Sequence, residues 1–205
     1  MKNKYMRHFI MAMVSSICLG FGCSFLIRGQ IGSDAMTTLM EGLANILKTT
    51  STVTNIYINI TAFVLALIIN KKNVGVVSLI YPFSTSFGIS IGLHIIPSIS
   101  NILIRMLFFV TGYFLLILAI GLNSKCECGK NPYDALSFGI EEKFNVSYAR
   151  VRTSIDLAML VSGIIFKGNY GVGTIICVFG IGKGASAIIK HLNENELYRK
   201  ILLLD

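Results

Sequence analysis

The chain contains one short pattern twice, as IINKKNVGV at residues 68–76 and as IIFKGNYGV at residues 164–172. The similarity extends without a gap over residues 51–88 and 147–184, which are separated by a constant offset of 96. Chance similarity between two apolar helices would match Ile or Ala, but it would not also match Lys, Asn and Gly residues. We therefore interpret the chain as two copies of one unit.

An acidic pattern just upstream of these stretches is also repeated. Here the offset is 100, and the pairs are Asp34 with Asp134, Ala35 with Ala135, and Glu41 with Glu141. The change in offset falls in the connection between the two matched regions, where an insertion is easily accommodated. The first repeat then covers residues 9–97, and the second covers residues 102–191.

The composition excludes most soluble classes of protein. Of the 205 residues, 54% are hydrophobic and 14% are charged, whereas a soluble domain usually carries about 25% charged residues. The apolar residues are concentrated in blocks, which excludes a disordered chain and a typical cytosolic enzyme. The net charge of +8 lies between these blocks, so it does not indicate a nucleic-acid partner. The sequence predicts an all-α integral membrane protein whose first partner is the lipid bilayer.

Six apolar blocks are long enough to cross a bilayer, which needs around 20 residues per helix. These predicted spans are residues 9–27, 52–70, 74–96, 102–122, 148–166 and 171–191. Each repeat contains three of them, and this odd number makes the second repeat enter the membrane from the opposite face. The sequence therefore predicts two inverted-topology three-helix repeats, an arrangement that recurs in secondary transporters. Gene duplication within a membrane scaffold would give the same pattern.

The basic residues predict the orientation of these spans, because Lys and Arg concentrate on the cytoplasmic side. With the N-terminus inside, thirteen of the 18 basic residues lie at cytoplasmic ends, and Arg28, Lys48 and Lys167 lie outside. Both termini are therefore expected in the cytoplasm. Arg105, near the outer interface, is expected to snorkel toward the membrane surface or to face lipid.

Each repeat also contains a short helix between its first and second spans. The predicted helices are residues 33–47, capped by Ser33, and residues 132–144, capped by Asn131 with Pro132 at the first helical position. At about 12–15 residues, each helix is too short to cross the membrane. The two helices either lie flat at the interface or enter the membrane from opposite sides as re-entrant helices.

A polar stripe runs along each short helix with the same i, i+3, i+7 spacing. The stripes consist of Asp34, Thr37 and Glu41 in the first repeat and of Asp134, Ser137 and Glu141 in the second. In an interfacial helix these side chains would be solvated, and the aspartates would complement the helix dipole. In a re-entrant helix they would line a polar cavity. All six residues are candidates for substrate binding.

Three ionisable residues lie deep in the last two spans. Arg152 and Asp156 are spaced i, i+4 on the fifth span, and Lys183 lies on the sixth at a similar depth to Asp156. A lone charge at the centre of a bilayer costs at least roughly 2.5–3.5 kcal/mol, so each charge is expected to be paired or to face water. We predict an ion pair between Asp156 and Lys183, with Arg152 as the rival partner. All three are further candidates for substrate binding.

Small residues predict where helices pack closely, since glycine lets two backbones approach each other. The glycines predicted at such contacts are Gly20, Gly88, Gly171, Gly173 and Gly184. We expect packing, rather than contact with a solute, to be their main role.

No motif in the sequence indicates an enzyme or a cofactor. The segment Cys126-Glu127-Cys128 lacks the further ligands that a zinc site needs. The segment Gly182-Lys183-Gly184 lacks the upstream glycine of a phosphate loop, and the His-Glu-x-x-His pattern does not occur. We expect no catalytic residues, no metal and no cofactor.

Three segments of the second half follow one another in a distinctive order. They are GKNPYDAL at residues 129–136, VRTSID at residues 151–156 and GVGT at residues 171–174. Together they resemble the YczE/YyaS/YitT family of bacterial membrane proteins, whereas the first half is similar more loosely. The resemblance implies a multi-pass protein of the bacterial cytoplasmic membrane. It favours the YczE-like branch, which lacks the soluble C-terminal domain of YitT-type members.

The repeat, the short helices and the buried charges together predict a transporter-like permease for a small polar or cationic solute. The alternative is a non-transporting accessory or scaffold protein that binds another membrane or secretion component. A homo-oligomer is compatible with either function.

Overall fold

The computed structural model describes residues 2–194, and this part of the chain forms eight α-helices. In chain order they are α1 (Lys2–Gly29), α2 (Ala35–Leu47), α3 (Ser51–Ile69), α4 (Val76–Ile95), α5 (Ile102–Asn123), α6 (Pro132–Phe144), α7 (Tyr148–Ile165) and α8 (Val172–Glu194). A 3₁₀ turn, Lys71–Asn73, joins α3 to α4. The C-terminus, which is predicted to be cytoplasmic, lies outside the described residues.

Five of these helices are long and apolar enough to cross a membrane, namely α1, α3, α4, α5 and α8. The chain is therefore a multi-pass α-helical membrane protein. The helix α7 has 18 residues but is less apolar, because it carries Arg150, Arg152 and Asp156.

Several helices extend beyond the apolar blocks from which they were predicted. α1 begins at Lys2 rather than at residue 9, and α8 continues to Glu194 rather than ending at residue 191. The added turns contain Lys, Arg, Leu and Glu, which form helices readily in water as well as in lipid. For α1 and α8, the helix is therefore longer than the hydrophobic block, whereas α4 (Val76–Ile95) is shorter than its block at residues 74–96.

Each contact between helices has a counterpart in the other half of the chain. The contact between α1 and α4 in the first half matches the contact between α5 and α8 in the second. The contact between α2 and α7 matches the contact between α6 and α3. The contact between α4 and α6 likewise matches the contact between α8 and α2. The first helices of the two halves, α1 and α5, pack against each other. α1 and α4 run in the same direction, since Ser24 and Arg28 donate in turn to the carbonyl groups of Ile89 and Leu93.

The bundle has two ends, which we call the N-terminal end and the opposite end. At the N-terminal end, Lys4 forms an ion pair with Glu127, and Asn70 donates to Glu142. At the opposite end, Arg105 at the start of α5 donates to the carbonyl groups of Gly29, the last residue of α1, and of Gln30, the residue after it. The guanidinium group of Arg105, which was predicted to snorkel or to face lipid, thus caps a helix C-terminus.

The two short helices begin inside the bundle and end near its surface. Ala35 at the start of α2 is buried, whereas Leu47 at its end is exposed. In the same way, Tyr133 in the first turn of α6 is buried and Phe144 at its end is exposed. The N-termini of both short helices thus lie among the long helices.

The start of α2 differs from the prediction. Its N-cap residue is Asp34 rather than Ser33, and the Asp34 carboxylate accepts a 2.5 Å hydrogen bond from the Thr37 hydroxyl instead of a backbone N–H. At α6, Asn131 is the cap as predicted, because its side chain accepts the N–H of Tyr133.

Glycines occur where segments come closest. A Cβ atom on Gly20 would collide with the backbone of α4, and one on Gly88 would collide with the backbone of α1. Gly173 and Gly184 contact side chains of α5. Gly171 instead lies against the loop before α2, so its close contact is with a loop and not with a helix.

Candidate functional site

A buried arginine holds two aspartates in the middle of the bundle. Nη1 of Arg152 lies 2.5 Å from Oδ1 of Asp134 on α6, and its Nε lies 3.3 Å from Oδ2 of Asp156 on α7. All three side chains are at most 4% exposed. Because these charges have left water, removing one partner would leave another buried and uncompensated.

Two tyrosines complete this group, which we call the arginine cluster. Tyr148 donates a 2.9 Å hydrogen bond to Asp134, and Tyr133 donates to Asp156. The guanidinium carbon of Arg152 lies 4.1 Å from the centre of the Tyr133 ring, within the range of a cation–π contact. Neither tyrosine was predicted as a site residue. The position of Tyr133 beside Asp134 in the motif was a usable signal, but nothing in the sequence marks Tyr148.

A small cavity lies beside the arginine cluster, and we call it the central cavity. Its volume is about 20 Å³, which holds roughly one water molecule. Both halves of the chain contribute to its wall, with polar residues that include Asp34, Thr37, Asn55, Asn131, Tyr133 and Arg152. The cavity therefore lies at a contact between the two halves.

The central cavity carries an excess of acidic groups. Asp34 is buried and has no ion pair among the described residues, where its carboxylate is bonded to the hydroxyl of Thr37. Arg152 lines the same cavity as Asp34, and it is already paired with Asp134 and Asp156. The N-termini of α2 and α6 add partial positive charge, but three carboxylates still exceed one guanidinium. Such a site favours a proton or a cationic group.

The loops before α2 and α6 are held by matching backbone hydrogen bonds. The Ile31 carbonyl accepts the N–H of Gly173 at the start of α8, and the Cys128 carbonyl accepts the N–H of Val77 at the start of α4, each at 3.1 Å. Val77 and Gly173 are related by the offset of 96. Each half of the chain thus holds the loop of the other half.

Four of the predicted site residues lie away from the arginine cluster and the central cavity, namely Ser137, Glu141, Glu41 and Lys183. The Ser137 hydroxyl donates to the Tyr133 carbonyl one turn earlier in α6. Glu141 accepts the backbone N–H of Tyr148. Glu41 lines a separate, larger cavity.

The predicted ion pair between Asp156 and Lys183 is wrong. Lys183 is exposed on α8, whereas Asp156 is buried and bonded to Arg152 and Tyr133. The two residues have a similar depth along their helices. Depth alone, however, does not define how a helix is rotated about its axis, and Lys183 lies on the outer face.

The larger cavity lies at the opposite end of the bundle, and we call it the end cavity. Its volume is about 370 Å³, and its polar lining residues are Gln30, Ser33, Glu41, Arg105, Asn169 and Tyr170. Oε2 of Glu41 is buried and has no hydrogen-bond partner among the described residues. Burial raises the pKa of the Glu41 carboxyl group to about 7.

The described part of the chain contains no group of three His, Cys, Asp or Glu residues that could hold a metal ion. Cys126 and Cys128 are free and buried. Burial raises the pKa of the Cys126 thiol to about 12, so this thiol stays protonated at neutral pH.

Comparison with known proteins identifies the family. The model of a family described as "Family of unknown function (DUF6198)" matches residues 6–190. The chain belongs to this family. It is 25% identical over 170 residues to an uncharacterized protein of Haemophilus influenzae, covering 80% of this chain and 75% of that protein. It is also 25% identical over 178 residues to the uncharacterized protein YyaS of Bacillus subtilis, covering 85% and 87% of the two chains.

The match to YyaS agrees with one part of the resemblance seen in the sequence. No solved structure matches the chain.

Proposed function

We propose that the protein is a permease built from two inverted repeats, which moves a small polar or cationic solute across the cytoplasmic membrane of a bacterium. Six helices would cross the membrane, namely the five apolar helices and α7. The charges of α7 are compatible with this, because Arg152 and Asp156 pair inside the bundle and Arg150 lies in the first turn. Both termini would face the cytoplasm, and the opposite end would face outward.

The arrangement of helices supports the inverted repeat. Every helix contact in one half has a counterpart in the other, and the loops before α2 and α6 are held by equivalent residues. Three crossings per repeat would turn the second repeat upside down relative to the first.

We further propose that α2 and α6 are re-entrant helices. Tyr133, in the first turn of α6, bonds to Asp156, which lies about half way along the 18-residue helix α7. Asp34, at the start of α2, lines the same cavity as Arg152. Both short helices thus begin near the middle of the bundle. Broken helices at corresponding positions of two halves mark the binding site in many secondary transporters.

The central cavity is the observation that carries this proposal. It lies between the halves, and its lining includes Asp34 of the first half and Arg152 of the second. Asp134 and Asp156 pair with this arginine, so three carboxylates accompany one guanidinium in and beside the cavity. Buried, incompletely paired charges are costly in a membrane and usually mark a pathway for a solute or a proton. At about 20 Å³, the cavity corresponds to an occluded site that opens when the halves move.

Three further expectations belong to the proposal. The protein is expected to catalyse no chemical reaction. Its partners are expected to be the bilayer, the solute and further copies of itself. Within the wider family, we place it with the YczE-like branch.

The proposal is tested by a flux screen on the purified protein in proteoliposomes, with inorganic cations, amines and amino acids offered in turn. We expect flux of at least one of these solutes, and Asp134→Asn should abolish it by removing a carboxylate from the central site. The matched control is Glu142→Gln, which changes an exposed carboxylate at the N-terminal end. Wild-type protein without flux, copurifying with one stoichiometric partner, would instead favour the accessory function.

A further inference from the structure

The end cavity contains one carboxylate and one guanidinium, from Glu41 on α2 and Arg105 on α5. Its volume of about 370 Å³ falls within the range of small-molecule sites, which is about 300–1,000 Å³. Neutral polar groups complete the lining, since Gln30, Ser33 and Asn169 offer amide and hydroxyl groups. The cavity therefore has the size and the chemistry of a ligand site.

The Glu41 carboxylate has unused hydrogen-bonding capacity. Oε2 is buried and has no partner among the described residues, and a buried acceptor without a donor is unfavourable. A ligand ammonium group supplies both the missing hydrogen-bond donor and the opposite charge.

The Arg105 guanidinium is held in place by backbone carbonyl groups. Its Nε donates to the Gly29 carbonyl at 2.8 Å, and its Nη2 donates to the Gln30 carbonyl at 2.5 Å. Its Nη1 forms no hydrogen bond within the described part of the chain and remains able to donate to a carboxylate. An arginine positioned in this way is pre-organised to bind an anionic group.

The two charges together define the ligand class. A ligand that carries only positive charge would be repelled by Arg105, and one that carries only negative charge would be repelled by Glu41. We propose that the end cavity binds a small zwitterion with an ammonium and a carboxylate group, as in a free amino acid, with the ammonium at Glu41 and the carboxylate at Arg105. This inference rests on the proposed permease function, because it names the class of solute.

The polar stripe of α2 connects this site to the central cavity. Glu41 lines the end cavity, whereas Thr37 and Asp34 line the central cavity. The spacing of the three residues places them on one face of α2, over about 10 Å along the helix axis. Within this proposal, the face of α2 from Glu41 through Thr37 to Asp34 is the route that the ammonium group would follow between the two cavities.

Binding is measured by equilibrium dialysis on the purified full chain in detergent, with radiolabelled probes. The zwitterions are glycine, β-alanine and 4-aminobutyrate, which differ in the distance between their charges. The single-charge probes are n-butylamine and butyrate, which match 4-aminobutyrate in carbon number. We expect one zwitterion to bind at least about tenfold more tightly than either single-charge probe, since each charge-assisted contact contributes about this factor or more.

The variants test each charge separately. Glu41→Gln and Arg105→Gln should each weaken zwitterion binding by about tenfold or more, while Glu142→Gln should leave it unchanged. Since Arg105 also caps α1, Arg105→Lys is included, and we expect it to recover part of the binding by keeping the charge. Thermal unfolding of each variant separates lost binding from lost folding.

Each outcome separates this inference from the permease function. Binding of a zwitterion that depends on Glu41, without flux, would support the site and contradict the permease. Flux of a solute with binding unaffected by Glu41→Gln would support the permease and overturn the site. Equal binding of n-butylamine and 4-aminobutyrate would overturn the zwitterion assignment, as would the lack of binding by every probe.

Discussion

Asp34 and Asp134 occupy corresponding positions on the two short helices, yet their partners differ. Asp134 lies 2.5 Å from Nη1 of Arg152 and accepts a 2.9 Å hydrogen bond from Tyr148, both on α7. Asp34 bonds instead to Thr37 of its own helix. In one half, the aspartate is held by a neighbouring helix, and in the other half it is not.

The glutamates of the two stripes differ in the same sense. Glu141 accepts the backbone N–H of Tyr148, so it ties the end of α6 to the start of α7. Glu41 lies at the end cavity with an unpartnered oxygen. Glu141 is engaged in structure, whereas Glu41 keeps an oxygen that no described residue binds.

For the two aspartates, the cause of this difference lies in the helix that follows each short helix. At the offset of 96, the cluster residues of α7 align with uncharged residues of α3. Tyr148 aligns with Thr52, Arg152 with Ile56 and Asp156 with Ile60. One half of the repeat therefore acquired a charge cluster that the other half lacks. The duplicated aspartates therefore have different partners, because the residues of the neighbouring helix differ between the two halves.

The largest expected effect concerns the arginine cluster of the second half. Arg152→Gln leaves Asp134 and Asp156 buried without a counter-charge and should destabilise the protein by about 3–5 kcal/mol. Asp34→Asn should cost far less, because Asp34 has no direct ion pair to lose among the described residues. The measurement is unfolding in detergent, with the exposed Arg150→Gln as the control.

Equal losses for Arg152→Gln and Asp34→Asn would contradict the comparison, since Asp34 would then be engaged as strongly as Asp134. A loss for Arg150→Gln similar to that for Arg152→Gln would show that burial of the charge is not the cause.

An intermediate effect concerns Glu41 and the binding of a zwitterion in the end cavity. Because the pKa of Glu41 is about 7, its carboxylate is mostly protonated at pH 6 and mostly ionised at pH 8. Zwitterion binding should therefore rise about tenfold from about pH 6 to about pH 8, because the ionised fraction of Glu41 rises by this factor while 4-aminobutyrate keeps both of its charges. The other titratable groups at this site are Asp34, Arg105 and Tyr170. The measurement is equilibrium dialysis across this range.

The matched control for this pH profile is Glu41→Gln, whose weaker binding should not vary with pH. A wild-type profile that is flat between about pH 6 and about pH 8 would mean that Glu41 is not the group that receives the ammonium.

The smallest expected effect concerns Lys183. Lys183→Met should change stability by no more than about 0.5 kcal/mol, because the side chain is exposed and has no ion pair in the described structure. In a double-mutant cycle with Asp156→Asn, the two changes should be additive within about 0.5 kcal/mol. A coupling energy well above this value would mean that the two residues meet in a state other than the one described.

The sequence by itself determined the features that depend on local or periodic patterns. The spans follow from hydrophobic length, and the start of α6 follows from Asn131 and Pro132, which act within a single helical turn. The two matched stripes are also visible in the sequence, since the spacing along a helix defines a face.

Only the tertiary structure decided which charges meet. Arg152 selects Asp134 on another helix, Tyr133 and Tyr148 complete the cluster, and Lys183 points away from it. These contacts depend on how each helix is rotated about its axis and on which neighbours it packs against. Each residue along an α-helix turns the side-chain direction by about 100°, so residues at one depth can face opposite sides. The rotation is set by packing over the whole bundle, and no local pattern encodes it.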